Sequence, residues 1–244
     1  MKEIKTIIAV GIAAVAVIVA ACVLGSAYLG RGKSERKIEV VGMAQKDFVS
    51  DLIVWNGSFS KQDMDMKTAF RQLKSDEEIV RKYLLSQGVA ENEMVFSSVS
   101  IDKDYDSYYE NNHYRQIFKG YLLRQNVTIT SNDLEKIEKV SRGISSLIDN
   151  GIEFESRSPN FFYTKLTDLK LKLIEEATQD GRSRAEKIAQ NANAKLGKLV
   201  SADLGVFQIT GQNSNDEYLW GGAYNTSSKN KTANITVRLK FEPK

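Results

Sequence analysis

The hydrophobic and polar positions form their clearest pattern over residues 165–196. Apolar residues recur there at steps of three, four or a multiple of four, so they lie on one side of a helix whose other positions are mostly charged. Gly181 is the one weak position, at about 1 kcal/mol relative to alanine. We expect the apolar stripe to be buried against a sheet, with Leu169, Leu173 and Ile188 as the central contacts. The stripe comprises Leu166, Leu169, Leu173, Ala177, Ala185, Ile188, Ala192 and Leu196.

Between residues 51 and 158 the pattern alternates between the periods of strands and of helices. Residues 103–115 indicate a polar, tyrosine-rich turn, and Asn132 and Glu135 have the spacing of a capping box. The order is strand, helix, strand, strand, helix, strand, which is the ferredoxin-like βαββαβ pattern. The elements are a strand at 51–60, a helix at 64–86, strands at 93–102 and 118–130, a helix opening at Ser131-Asn132-Asp133 and a strand at 152–158.

Three further strands are predicted outside this core, at 37–44, 198–210 and 233–241. We expect the long helix and the two last strands to extend the core sheet or to cover its open face. The predicted fold class is therefore α+β, with residues 38–244 forming one domain.

The N-terminal part differs, because it is an uninterrupted apolar run from Ile7 to Leu29. As a helix it would span about 35 Å, enough to cross a hydrocarbon core of roughly 30 Å. We interpret residues 1–37 as a signal anchor with a single transmembrane helix and basic flanks. A cleaved secretory signal and a lipoprotein signal remain alternatives, since the residues before Cys22 resemble a lipobox and would make Cys22 the lipidated residue.

The charges at the two ends of the apolar run give conflicting indications of its orientation. Lys2 and Lys5 precede it, as in an export signal, whereas Arg31, Lys33, Arg36 and Lys37 follow it. Charge alone does not decide the orientation, and we favour export.

Composition excludes some classes of function. The net charge is +3, and residues 1–37 hold six of the 34 basic and two of the 31 acidic side chains, which leaves 28 basic and 29 acidic elsewhere. A nucleic-acid surface needs clustered lysine and arginine, so we expect no nucleic-acid partner. The single cysteine excludes an intrachain disulfide.

No catalytic constellation is recognisable. His113 is the only histidine and has no metal-ligating or catalytic neighbours in sequence, and neither a nucleophile elbow nor a phosphate-binding glycine loop is present. We therefore predict no enzymatic activity, no metal and no cofactor. The exposed aromatic residues of two polar segments are the candidates for an interface or a ligand contact. They are Tyr105, Tyr108, Tyr109 and Tyr114 in the first segment and Tyr218, Trp220 and Tyr224 in the second.

Seven short segments stand out by their order and spacing along the chain. They are Ile38-Glu39-Val40-Val41-Gly42, Gly88-Val89, Gly120-Tyr121, Val127-Thr128-Ile129, Gly151-Ile152, the run from Glu176 to Ala189 and Leu196-Gly197-Lys198-Leu199. Together these segments resemble the bacterial SIMPL-domain family, which includes periplasmic immunogenic and oxidative-stress-defence proteins. The resemblance implies an exported or membrane-attached α/β domain of poorly defined function that assembles into large homo-oligomers. Many members have a Pro-Asp pair after the first strand, where this chain has Ser50-Asp51.

The resemblance and the N-terminal run together predict a non-enzymatic protein of the cell envelope. We expect a single pass through the bacterial inner membrane, with the domain on the periplasmic side, self-association, and a part in envelope or oxidative-stress defence. One alternative is a module that binds an envelope glycan or peptide through its aromatic loops. The other is an unrecognised envelope enzyme.

Overall fold

The computed structural model describes residues 11, 14–26, 28, 37–110 and 113–244. Residues 14–26 are helical, and Cys22 within them is exposed. Among the described residues, no helix is both long and apolar enough to cross a membrane. The predicted span from Ile7 to Leu29 lies partly outside the described residues, so it stays a prediction.

The described elements confirm the mixed α+β class. Besides the helical residues 14–26, the described part of the chain has three longer helices and two short 3-10 helices, Glu91–Glu93 and Ile144–Asn150. The strands are β1 Ile38–Val49, β2 Leu52–Asp63, β3 Met94–Phe96, β4 Ser100–Glu110, β5 His113–Ser131, β6 Phe154–Ser156, β7 Asn160–Phe162, β8 Leu196–Leu204, β9 Gln208–Gly211 and β10 Asn230–Pro243. The helices are α1 Met66–Ser86, α2 Leu134–Gly143 and α3 Leu166–Asn191.

The chain divides into two compact units. Unit 1 comprises Met1–Gln45, Leu171–Phe207 and Asn234–Lys244, and unit 2 comprises Lys46–Lys170 and Gln208–Ala233. Each unit is described separately below.

Unit 2 contains the predicted sequence of strand, helix, strand, strand, helix and strand. Its sheet has the order β3-β5-β2-β6 with antiparallel neighbours, and β4 pairs with β5 while β7 pairs with β2. Alternate residues of β2 and β5 are buried together with one side of α1 and of α2, and they form the core of this unit. Fully buried members of this core include Ile53, Trp55, Leu73, Val80, Leu84, Leu123, Val127, Ile129 and Ile137.

Three local predictions in unit 2 are wrong. The strand predicted at 93–102 is interrupted between β3 and β4, and the segment predicted as a turn at 103–115 instead forms a long hairpin of β4 and β5. The cap of α2 is Asp133, whose Oδ1 accepts from the Lys136 N–H at 3.0 Å. Asn132, the predicted cap, donates its side-chain Nδ2 to the Asp51 carbonyl at 2.7 Å.

The C-terminal strands do not extend the core sheet, which was one of the two arrangements that we expected. They form a second sheet of order β1-β10-β8, with β9 also paired to β10. The strand predicted at 198–210 is divided into β8 and β9, and at the break the Gly205 N–H donates to the Thr236 carbonyl at 2.8 Å. Sequence periodicity does not specify which strands become neighbours, and β1 proved to be the strand that completes this sheet.

In unit 1, α3 packs against β1 and β10 through small residues at steps of four. Ala177, Gly181, Ala185 and Ala189 are buried, whereas Ile188 is 50% exposed. The prediction that Ile188 is a central contact is therefore wrong. Gly181 itself lies in the contact with the sheet. The buried residues of α3 therefore follow every fourth position, whereas the predicted stripe mixed steps of three and four and so included position 188.

Candidate interaction surfaces

The hairpin of β4 and β5 extends beyond the sheet of unit 2 as a two-stranded ribbon. Pairing between β2 and β5 ends at Asp63 and Tyr121, whereas pairing between β4 and β5 continues to Glu110 and His113. A two-stranded ribbon is only marginally stable in water. The ribbon is therefore a surface that gains stability when another surface covers it.

The register of the ribbon places its aromatic side chains in cross-strand pairs. Tyr105 is opposite Phe118 with ring centroids 5.5 Å apart, and Tyr109 is opposite Tyr114 with centroids 5.6 Å apart. Between the two pairs, the Tyr114 hydroxyl donates to Ser107 Oγ at 2.9 Å. Such pairs hold the rings in place on a pleated surface.

These tyrosines are strand residues and not loop residues, which corrects the prediction for Tyr105, Tyr108, Tyr109 and Tyr114. All four are exposed, with Tyr109 at 77% and Tyr114 at 57%. Tyr108 lies on the opposite face of the ribbon, paired with Arg115. Tyrosines that combine a large apolar ring with a polar tip are typical of protein interfaces.

The second candidate segment is the connection from β9 to β10. The Gly222 N–H donates to the Leu219 carbonyl at 3.0 Å and closes a turn with Trp220 at its corner. The side-chain amide of Gln208 stabilises this turn through two hydrogen bonds. Its Nε2 donates to the Leu219 carbonyl at 2.8 Å, and its Oε1 accepts from the Ala223 N–H at 2.9 Å. The connection is thus a structured loop.

The loop presents its three predicted aromatic residues differently. Trp220 is fully exposed and Tyr218 is 64% exposed. Tyr224 lies lower in the loop, where its ring faces Phe162 with centroids 6.5 Å apart. Trp220 is therefore available to a ligand or partner, whereas Tyr224 belongs to the support of the loop.

A buried lysine, which the sequence analysis missed, anchors the loop. Lys231 Nζ donates to the Ser228 carbonyl at 2.7 Å and to the Asn225 carbonyl, and lies 6.0 Å from the ring centroid of Tyr224. Burial lowers the pKa of Lys231 to about 8, and nearby Asp216 partly opposes that shift. The only feature of the sequence that indicates the burial of Lys231 is its position just before the alternating apolar residues of β10.

Asp216 closes the other side of the loop. Its Oδ2 accepts from the Gly211 N–H at 2.7 Å and from Asn225 Nδ2 at 2.7 Å. The bond from the Gly211 N–H is the main cause that holds the pKa of the Asp216 carboxyl below its usual value. Asp216 and Lys231 together fix the loop from two sides, so Trp220 is held in place before any ligand binds.

Other titratable residues have structural partners. In unit 2 burial raises the pKa of Asp76, whose Oδ2 lies 3.1 Å from Lys61 Nζ. In unit 1 Asp180 accepts from the Met43 N–H at 2.9 Å and pairs with Arg184 at 2.8 Å, and the first of these contacts is the main cause of its lowered pKa. Within the described part of the chain, no three His, Cys, Asp or Glu side chains are grouped so that they could hold a metal ion.

Comparison with known families agrees with the sequence resemblance. A family model described as SIMPL, protein of unknown function (DUF541), matches residues 38–241. No curated protein matches the chain. The family match covers both units and assigns no activity to any residue.

Proposed function

Because this chain belongs to the SIMPL family, whose description assigns no function, we propose that it is a non-enzymatic, membrane-anchored envelope protein that self-associates. Residues 38–244 form the extracytoplasmic part in this proposal. The protruding aromatic ribbon is the observation that carries it.

The ribbon supports self-association for two reasons. Its residues beyond the end of β2 gain no stability from a third described strand. Its exposed tyrosine pairs supply a rigid apolar contact whose hydroxyl groups can form hydrogen bonds with a second copy.

The oligomeric state tests this role. Light scattering on the full-length protein in detergent, corrected for the detergent mass, should give a multiple of the 27.4 kDa chain mass. The double variant Tyr109→Ser, Tyr114→Ser should lower that mass, because it removes both exposed rings of one pair. Trp220→Ala is the matched control, since it removes an exposed ring elsewhere in unit 2. An unchanged mass in the double variant would exclude the ribbon as the assembly surface.

Membrane anchoring rests on the apolar run from Ile7 to Leu29. The full-length protein should remain in the membrane fraction after carbonate extraction, and external protease on spheroplasts should remove the residues after about Arg36. Protection of the domain would place it in the cytoplasm, and a mature N-terminus at a lipid-modified Cys22 would favour the lipoprotein alternative.

A deletion strain with unchanged sensitivity to peroxide and to envelope stress would contradict a defence role.

A second candidate function is the binding of an envelope glycan or peptide at Trp220. The fully exposed indole on a pinned loop favours it, because such a ring can stack on a sugar or an apolar side chain without a large ordering cost. Chitotetraose or a soluble muropeptide should shift the tryptophan emission of the wild type but not of Trp220→Phe. The same emission change in both proteins would exclude this site.

A further inference from the structure

A cleft in unit 2 lies apart from both aromatic surfaces. It has a volume of about 510 Å³ and runs beside the first half of α1. Its apolar lining comes from Met66 and Phe70 on α1 and from Ile101 and Leu123 in the sheet, and Ile101 is 53% exposed. The cleft can therefore take a large apolar side chain.

The outer edge of β4 borders the cleft. Ile101 is directly opposite Leu123 in the pairing of β4 with β5, and no described strand pairs with the other edge of β4. The N–H and C=O groups along such an edge are a template for an added strand. A groove between a helix and a free strand edge is the geometry in which proteins bind extended peptides by strand addition.

The rim of the cleft is basic. Lys67 and Arg71 line it from α1, and Lys103 lies two residues after Ile101 and so on the same face of β4. Lys67 and Lys103 form no ion pair with any residue that the structure describes. The one acidic residue of the lining, Asp65, is engaged in capping α1, where its Oδ2 accepts from the Thr68 N–H at 3.0 Å.

We propose that this cleft binds an extended segment of another protein, which adds as a strand to β4. An apolar side chain of the segment enters the cleft, and carboxylates two residues before and after it, on the same face of the added strand, meet Lys67, Arg71 and Lys103. A lipid would leave the strand edge without hydrogen-bond partners, so the free edge favours a peptide.

Charge argues against a second copy of β4 as the added strand. Two copies paired about a twofold axis would place residues of the same face opposite one another. Asp102, Asp104 and Asp106 share one face of β4, so each copy would present its aspartates to those of the other. Like charges directly opposite one another destabilise a sheet.

A library of random peptides displayed on yeast tests the proposal, with the full-length protein in detergent as the bait. Enriched peptides should contain an apolar residue with a carboxylate two residues away on one or both sides, so that the three side chains share one face of the added strand. The double variant Lys67→Glu, Arg71→Glu should bind them at least about tenfold more weakly, because it reverses the rim charge. The double variant Lys82→Glu, Lys139→Glu makes the same change of net charge at exposed sites outside the cleft and should keep the affinity.

The backbone contribution has its own test. Each enriched peptide is synthesised in two versions, N-methylated at one or at the other set of alternate residues. The version whose methylated N–H groups face β4 cannot donate to the strand edge and should lose at least about tenfold in affinity. Tyr109→Ser, Tyr114→Ser should leave peptide binding unchanged, which separates this proposal from self-association through the ribbon.

Several results would overturn the proposal. They are a selection that enriches no peptide, enriched peptides that bind both charge variants equally, and peptides that bind as well in both N-methylated versions as in the unmodified form. A lower oligomeric mass in Lys67→Glu, Arg71→Glu would assign the cleft to a second copy. Loss of binding to phosphatidylglycerol vesicles in that variant, with no peptide enriched, would assign it to a membrane surface.

Discussion

The two units pack their helices against their sheets in opposite ways. In unit 2, large side chains such as Trp55, Phe59 and Leu84 fill the space between the helices and the sheet. In unit 1, α3 approaches β1 so closely that a Cβ on Gly42 would lie 2.1 Å from the Ala177 carbonyl oxygen and 2.5 Å from Gly181 N. The packing in unit 2 therefore depends on the volume of large side chains, whereas the contact in unit 1 depends on the absence of a side chain at Gly42.

This difference means that opposite substitutions should damage the two units. Loss of a large side chain leaves a cavity in unit 2, because tightly packed neighbours relax only partly. Gain of a methyl group at Gly42 forces two backbones apart, since the atoms it would meet belong to the main chain. The predictions below test this contrast in the free energy of unfolding.

The largest effect is expected for Trp55→Ala in unit 2. Trp55 is fully buried, and its Nε1 donates to Ser156 Oγ at 3.1 Å. We expect a loss of about 3–5 kcal/mol, measured by urea denaturation followed by circular dichroism. Trp220→Ala is the matched control and should stay within about 0.5 kcal/mol. Equal effects of the two would contradict a core built on large side chains.

Leu173→Ala tests the one large side chain of α3 that is fully buried in unit 1. We expect a loss of about 2–5 kcal/mol. Glu176→Ala, on the exposed side of the same helix, should change stability by no more than about 0.5 kcal/mol. Equally small effects in urea titrations would mean that the helix contributes little to unit 1 in one chain, and unfolding should then depend on protein concentration.

Gly42→Ala tests the close approach of α3 and β1. We expect a loss of about 1–3 kcal/mol, because the added methyl group overpacks the contact. Gly221→Ala is the control, since a Cβ there would meet no atom within 4 Å. If both variants unfold at the same urea concentration as the wild type, the backbone contact can open at no cost, and the contrast between the units fails.

The last prediction concerns the pH dependence of stability and Lys231, which lies in a loop anchor outside both helix contacts. Its pKa is lowered to about 8 from 10.5, so the unfolded chain binds more protons than the folded chain between these values. The contribution of Lys231 to stability should therefore rise as the pH increases from about 8 to 10.5. Stability curves of the wild type and Lys231→Met, measured against pH, should diverge in this range. Parallel curves would contradict a lowered pKa.

The candidate surfaces show how far residue type alone can lead. Exposed tyrosines and a tryptophan could be selected from the sequence, because aromatic residues in polar segments need either a partner or a support. The arrangement of these rings could not be predicted from the sequence. The cross-strand register decides that Tyr109 meets Tyr114 and that Tyr108 faces away from both, and register depends on how the two strands align.

Periodicity was sufficient to locate the helices and most strands, because the period of 3.6 and the period of 2 follow from local backbone geometry. It identified Leu169 and Leu173 as buried. It failed for Ile188, for the partner strands of β1, and for Lys231, which looks like an ordinary surface lysine in the sequence. These depend on which elements become neighbours. A glycine next to a glycine brings α3 close to β1, and two loop carbonyls retain a lysine whose residue type alone suggests an exposed position.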